Sequence, residues 1–253
     1  MTSDKNTQKG LYIKNFGCQM NVYDGDRMQE MMSSHNYDSV NSVEDADLVI
    51  LNTCHIREKA TEKIYSELGR IKKNISGKKE KTIVAVAGCV AQAEGEELVK
   101  RAPIIDLVFG PLTYHHLPDI LQSFENDNLN KKKAIVDIEP PNEDKFTELP
   151  KRLKDNRAIS AFLSVQEGCD KFCTFCVVPY TRGVETSRSF LEIKDEANQL
   201  ISTGVQEIIL LGQNVNAWSN SNGKKMDFAD LIYELSLLDL KRIRFTTSHP
   251  NDM

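Results

Sequence analysis

Apolar positions in the first half of the chain alternate between two rhythms. Short, largely apolar or β-branched runs occur at Leu11 to Phe16, Leu48 to Leu51, Ile83 to Ala87 and Ile105 to Phe109, with a weaker one at Tyr37 to Val40. Helix-period segments fill the gaps. The clearest, Glu58 to Lys73, puts Ala60, Ile64, Leu68 and Ile71 on one stripe and charged residues elsewhere. This alternation predicts βα units on a parallel sheet. From residue 126 to about 156 the pattern dissolves into mixed charge around Pro140-Pro141, which reads as a linker holding at most one short strand.

Regularity resumes with a strand at Ser160 to Val165 and a long loop to Arg188. A helix follows, opened by a Ser189/Glu192 capping box, carrying Ile193, Ala197, Leu200 and Ile201 on one face and stopped by Gly204. Val205 to Leu211 is the next strand. Asp227 caps a helix with Phe228, Leu231, Ile232 and Leu235, and Ile243 to Thr247 is a third strand. The expected organisation is a polar tail (1–10), an α/β domain (11–125), a linker (126–156) and a βαβαβ region (157–253). Three parallel strands cannot close a barrel, so the second region is expected to be incomplete.

The chain has 253 residues, of which 40% are hydrophobic and 27% charged, values that exclude a disordered or collagen-like chain and suit two domains. No apolar run approaches the roughly 18 residues of a membrane span, and the opening MTSDKNTQKG lacks a signal peptide's apolar core, so a soluble cytoplasmic protein is expected. A net charge of -5 argues against gripping nucleic acid by overall charge and leaves only local patches for that purpose. Six cysteines without an export signal read as metal ligands or catalytic thiols before disulfides.

The cysteines fall into two triads. Cys18, Cys54 and Cys89 each lie just past the carboxyl end of an expected strand, where open α/β sheets bind ligands. In a flavodoxin-like sheet of order 2-1-3-4-5 the three strands involved are neighbours about 4.8 Å apart, and Gly17 and Gly88 allow close backbone approach. Three buried structural cysteines are the competing reading. The second triad, Cys169, Cys173 and Cys176, has C-x3-C-x2-C spacing directly after a strand. Three thiolates without an adjacent fourth ligand are unusual for structural zinc, and on a four-iron cluster they leave one iron open. A zinc completed by a remote cysteine or histidine is the alternative here.

The second run, with Phe175 before its last cysteine, resembles the radical S-adenosylmethionine signature. Its flanks narrow the likeness: GCQMN at Gly17 to Asn21, NTCHIREKATEKIYSELGR at Asn52 to Arg70, and EGCDKFCTFCVVPYTRGVETSR at Glu167 to Arg188 together resemble the methylthiotransferases. Within them the likeness is greatest to the type that adds a methylthio group to C2 of N6-dimethylallyladenosine next to the tRNA anticodon. The resemblance implies two 4Fe-4S clusters. The auxiliary one is held by Cys18, Cys54 and Cys89, and the radical one by Cys169, Cys173 and Cys176, whose open iron binds S-adenosylmethionine. It further implies a tRNA anticodon loop as substrate, an electron donor such as a flavodoxin or ferredoxin, and a monomeric enzyme. Members of the family continue past a third barrel strand into the rest of the barrel and a small RNA-binding domain, which this sequence does not contain.

Residues beyond the cysteines are chosen by topology, since functional groups of parallel barrels sit at strand carboxyl ends. Gln213 and Asn214 are candidate S-adenosylmethionine contacts. Phe172 and Phe175 are candidates for shielding the cluster or stacking on adenine, against ordinary core packing. His55 and His249 are placed near strand ends; His35, His115 and His116 read as surface or helix residues. Arg57, Lys151, Arg152, Lys154, Arg182 and Arg188 are candidate phosphate contacts. An inactive remnant of the family and a plain iron-sulfur electron-transfer protein remain as the other readings.

Overall fold

The computed structural model describes residues 8–55, 60–78, 81–126, 134–140, 145–152, 158–220 and 225–252. The chain divides into two units, Met1–Leu149 and Pro150–Met253.

In the first unit β1 (Lys9–Phe16), α1 (Gln19–Ser33), β2 (Tyr37–Ser39), β3 (Leu48–Thr53), α2 (Ala60–Ile75), β4 (Ile83–Gly88), α3 (Cys89–Glu94), α4 (Glu96–Arg101), β5 (Leu107–Phe109), α5 (Leu117–Asn126), β6 (Ile135–Asp137) and α6 (Lys145–Glu148) follow in order. The strands form one sheet in the order β2-β1-β3-β4-β5-β6, every pair parallel. The expected order 2-1-3-4-5 is therefore extended by a sixth strand from the segment that read as linker.

Side-chain alternation along the strands splits the core into two layers. Leu48, Ile50, Ala85, Leu107 and Phe109 face Met28, Met31 and Met32 of α1 and Leu117 and Leu121 of α5. Their neighbours Val49, Leu51, Val84, Val86 and Val108 face Ile64, Leu68 and Ile71 of α2 and Leu98 of α4. Burial on both faces explains why β3 and β4 read as unbroken apolar runs and are buried at every position.

The second unit contains β7 (Ser160–Ser164), β8 (Gln166–Glu167), α7 (Val178–Thr181), β9 (Thr186–Ser187), α8 (Phe190–Ser202), β10 (Glu207–Leu211), α9 (Phe228–Ser236) and β11 (Arg242–Phe245). Its sheet is parallel with order β11-β10-β7. Ala161, Leu163, Ile208 and Leu210 pack against Ile193, Ala197 and Leu200 of α8 and Leu231 and Leu235 of α9, with Trp218 closing the layer. The Ser189/Glu192 capping box opens α8, and Asp227 caps α9. The short antiparallel pair β8 and β9 draws together the two ends of the cysteine loop.

Candidate metal centres

Register brings the first triad together. Phe16 pairs with Thr53 and Thr53 with Gly88, so β1, β3 and β4 end in one row. Cys18 follows as the N-cap of α1, Cys54 is the residue after β3, and Cys89 opens α3. Two glycines let these ends close on each other. A methyl on Gly17, at φ +146°, would lie 2.2 Å from the Cys54 Cβ and 3.3 Å from its sulfur. One on Gly88, at φ +87°, would lie 2.4 Å from the Thr53 carbonyl oxygen and 2.6 Å from Asn52 Oδ1.

Beneath the cysteines lies a carboxamide brace that sequence reasoning quoted within its motifs but assigned no role. Asn21 and Asn52 are both fully buried. Asn21 Nδ2 donates to Asn52 Oδ1 (3.2 Å) and to the Thr53 carbonyl (3.0 Å), and the Cys18 thiol donates to Asn21 Oδ1 (3.2 Å). Asn52 Nδ2 donates back to the Asn21 carbonyl (2.6 Å) and to Asn15 Oδ1 (3.0 Å). The brace ties the loop of Cys18 to that of Cys54, and the fifteen-residue α1 directs its positive end to the same place, which suits an anionic group.

The second triad sits on the loop between β8 and β9. Gly168, at φ +75°, admits no side chain, because a Cβ there would lie 1.9 Å from the Val184 carbonyl oxygen. The Cys169 amide donates to the Gly183 carbonyl (3.2 Å), and the Cys176 amide to that of Cys173 (2.8 Å), which folds the last two cysteines into one turn. All three are partly exposed, and no disulfide joins any of the six cysteines. Burial pushes the Cys169 thiol up against the opposing pull of the Lys171 main-chain N–H, and Glu185, Cys176 and Cys173 add to the rise.

Among the described residues no three His, Cys, Asp or Glu side chains are gathered tightly enough to hold a single metal ion. One zinc, with Zn–S near 2.3 Å, needs its sulfurs about 3.8 Å apart. Each triad supplies three thiolates, whereas structural zinc is normally closed by four protein ligands and a four-iron cluster held by three keeps one iron open.

Around the second triad, Phe172 and Phe175 are 61% and 94% exposed, so neither is core packing. Phe172 is held at φ +46° with Tyr180 edge-on at 6.2 Å. Gln213 and Asn214 follow β10. Gln213 Oε1 accepts the Gly168 N–H (2.7 Å). Asn214 is buried, with Nδ2 donating to Asp252 (2.8 Å) and Glu185 (3.2 Å), while its Oδ1 is buried without a hydrogen-bond partner among the described residues. His249 is held through its main chain by Asn216 (2.8 and 2.9 Å). His116 pairs with Asp137 at 2.8 Å.

The arginines correct an expectation. Arg182 is buried against Glu167, and Arg188 is buried with its guanidinium on the Ser164 carbonyl and Glu196, both at 2.7 Å. Arg152 is buried near Glu196 as well. These three brace the fold and present no charge to a phosphate. Lys151 is exposed; Arg57 and Lys154 lie outside the described residues.

Residues 10–110 match the family described as uncharacterized protein family UPF0004, and residues 163–252 match the radical SAM superfamily. The chain is 55% identical, over 97% of its length, to a tRNA-2-methylthio-N(6)-dimethylallyladenosine synthase of Bartonella quintana, and 56% identical, over 96% of its length, to that of Cereibacter sphaeroides. In both segments the chain is similar to the tRNA methylthiotransferases. Each match takes in 54% of the relative, so the chain spans about half the length of the curated relatives it matches. Among solved structures, a radical S-adenosylmethionine methyltransferase, TsrM, from Kitasatospora setae, with cobalamin and a 4Fe-4S cluster bound, superposes with a TM-score of 0.57. At 13% identity, over 83% of this chain and 50% of that one, this is a likeness of fold. Both cysteine triads lie inside the segments matched to the two families.

Proposed function

We propose that the chain holds two 4Fe-4S clusters and S-adenosylmethionine and provides the radical chemistry of methylthio transfer to C2 of N6-dimethylallyladenosine in the tRNA anticodon loop. The observation that carries this reading is the pair of cysteine triads, the first at the carboxyl ends of three neighbouring parallel strands and the second on the loop between β8 and β9, each one ligand short of closing a four-iron cluster. Cys18, Cys54 and Cys89 would hold the auxiliary cluster, and Cys169, Cys173 and Cys176 the radical one. When bound there, the second cluster would supply the one-electron reduction that radical cleavage of S-adenosylmethionine requires.

The protein's own part is binding and orientation. Asn214 offers, at the strand end, a buried carboxamide oxygen that has no hydrogen-bond partner among the described residues, and its neighbour Gln213 and Phe175, exposed on the cysteine loop, join it as candidate S-adenosylmethionine contacts. The reaction draws hydrogen from a C–H bond that acid-base groups cannot activate, which agrees with a site built from thiolates and carboxamides. A solution monomer in the cytoplasm, reduced by a flavodoxin or ferredoxin, completes the reading; no helix among the described residues is long and apolar enough to cross a membrane.

Anaerobic reconstitution tests it. Wild type is expected to take up about eight irons per chain, and Cys54→Ala and Cys173→Ala about four each. Reduction in the presence of S-adenosylmethionine should release 5'-deoxyadenosine from wild type and Cys54→Ala but not from Cys173→Ala. Equal iron in all three, or zinc in place of iron, refutes the two-cluster assignment. Two clusters without cleavage would favour electron transfer.

A further inference from the structure

Gln166 is entirely buried, although nothing in the cysteine motif requires a carboxamide there. Its Oε1 accepts the main-chain N–H groups of Gln213 and Asn214, both at 2.9 Å. Its Nε2 donates to the carbonyls of Gly168 (2.6 Å) and Glu167 (3.3 Å). Both lone pairs and both N–H groups of the amide are thus engaged. Gln213 answers from the other side, its Oε1 accepting the Gly168 N–H at 2.7 Å. Gly212 leaves the room for this, since a Cβ there would lie 2.6 Å from Gln166 Oε1. Two glutamines thus clasp the residue before the first cysteine of the second triad to the loop that follows β10.

On the reading of this loop as the S-adenosylmethionine contact, we infer that Gln166 is a positioning residue. It fixes the distance between the open corner of the cysteine loop and the Gln213–Asn214 main chain, so that a ligand must engage both at once. The geometry favours this over a purely local role because the amide divides its four bonds equally between the two loops. A residue serving the cysteine loop alone would have no use for the N–H groups of Gln213 and Asn214, 47 and 48 positions away.

Two variants of the full, anaerobically reconstituted chain separate the roles. Gln166→Glu keeps the acceptor side and loses both donations. Gly212→Ala leaves Gln166 in place and pushes on its Oε1 from the opposite loop, so it keeps the test open if the first variant folds poorly. Iron content, affinity for S-adenosylmethionine, and the change it induces in the electron paramagnetic resonance of the reduced cluster are the readouts. Both variants are expected to retain wild-type iron, to bind S-adenosylmethionine about tenfold more weakly, equivalent to about 1.4 kcal/mol, and to show a smaller spectral change. Unaltered affinity and spectrum at full iron overturn the inference. So does loss of about four irons with intact circular dichroism, which would confine Gln166 to the cysteine loop. If the unsubstituted chain itself shows no response to S-adenosylmethionine, the functional reading beneath the inference fails, a result visible without any variant.

Discussion

Replacing Gly17 by alanine probes the convergence of the first triad most directly. The new methyl would sit 2.2 Å from the Cys54 Cβ and 3.0 Å from Asn21 Oδ1, with the residue at φ +146°. Ordinary contact begins near 3.4 Å, so the end of β3 has to retreat by about 1.2 Å, the cost of overpacking being about 1–3 kcal/mol. A glycine-only backbone conformation costs a side chain about 1–3 kcal/mol more. Together, about 2–6 kcal/mol is lost from a stability on the order of 5–15. At about 2 kcal/mol per molar urea this lowers the midpoint by about 1–3 M. The sole tryptophan, Trp218, is buried in the second unit, so its fluorescence follows that unit while circular dichroism follows both. Gly17→Ala should move only the component absent from fluorescence and remove about four of about eight irons. Gly69→Ala, exposed in α2 with nothing within 4 Å of the added methyl, is the control and should gain about 0.5–1 kcal/mol. Full iron and unmoved transitions in Gly17→Ala would refute the claim that Cys18 and Cys54 meet across this glycine.

Two further outcomes follow from side-chain partners. Burial pushes the Glu67 carboxyl up, but hydrogen bonds and charge from Lys14 (2.6 Å) and Arg70 (3.1 Å) outweigh it and hold it below its ordinary 4.5. A depressed folded-state pKa contributes stability above the unfolded value and loses it as pH falls through the folded one. Glu67→Gln should therefore flatten the first unit's stability profile below about pH 4.5 while lowering its plateau at neutral pH; an unchanged acid limb would count against the pairing. In the second unit, Ser189→Ala removes the capping box of α8 and should cost about 1 kcal/mol, read from the Trp218 fluorescence midpoint, with no change there if the cap is immaterial.

The sheet was legible in the chain because β3 and β4 are buried on both faces and leave apolar runs, and because the ends of β1, β3 and β4 each carry a cysteine. The sixth strand, Ile135–Asp137, carried no such mark. Its three residues are half-buried at an edge, and its bonds to β5 are main-chain bonds that any residue can make. The arginines were misread for a related reason. Arg188 belongs to the cysteine motif, but the groups that claim it, Glu196 and the Ser164 carbonyl, are side-chain and backbone partners that no motif reveals. Gln166 and the Asn21–Asn52 brace escaped a role on the same ground. A carboxamide in a motif looks alike whether it faces a ligand or the backbone of a neighbouring loop.

The two triads solve opposite problems. Cys169, Cys173 and Cys176 lie within eight residues, so little chain entropy separates the unfolded loop from a ligand set, and the structural work goes into aiming the loop through Gly168, Gln166 and Gln213. Cys18, Cys54 and Cys89 are drawn from three strands and meet only once the sheet has its register, so the fold comes before the ligand set. Whatever binds the first triad therefore stabilises the parallel sheet by mass action, since only the folded state presents all three sulfurs. That linkage accounts for the glycines at the strand ends and the buried asparagines between them. They make room for, and hold in place, loops whose thiols would otherwise be kept apart by side chains.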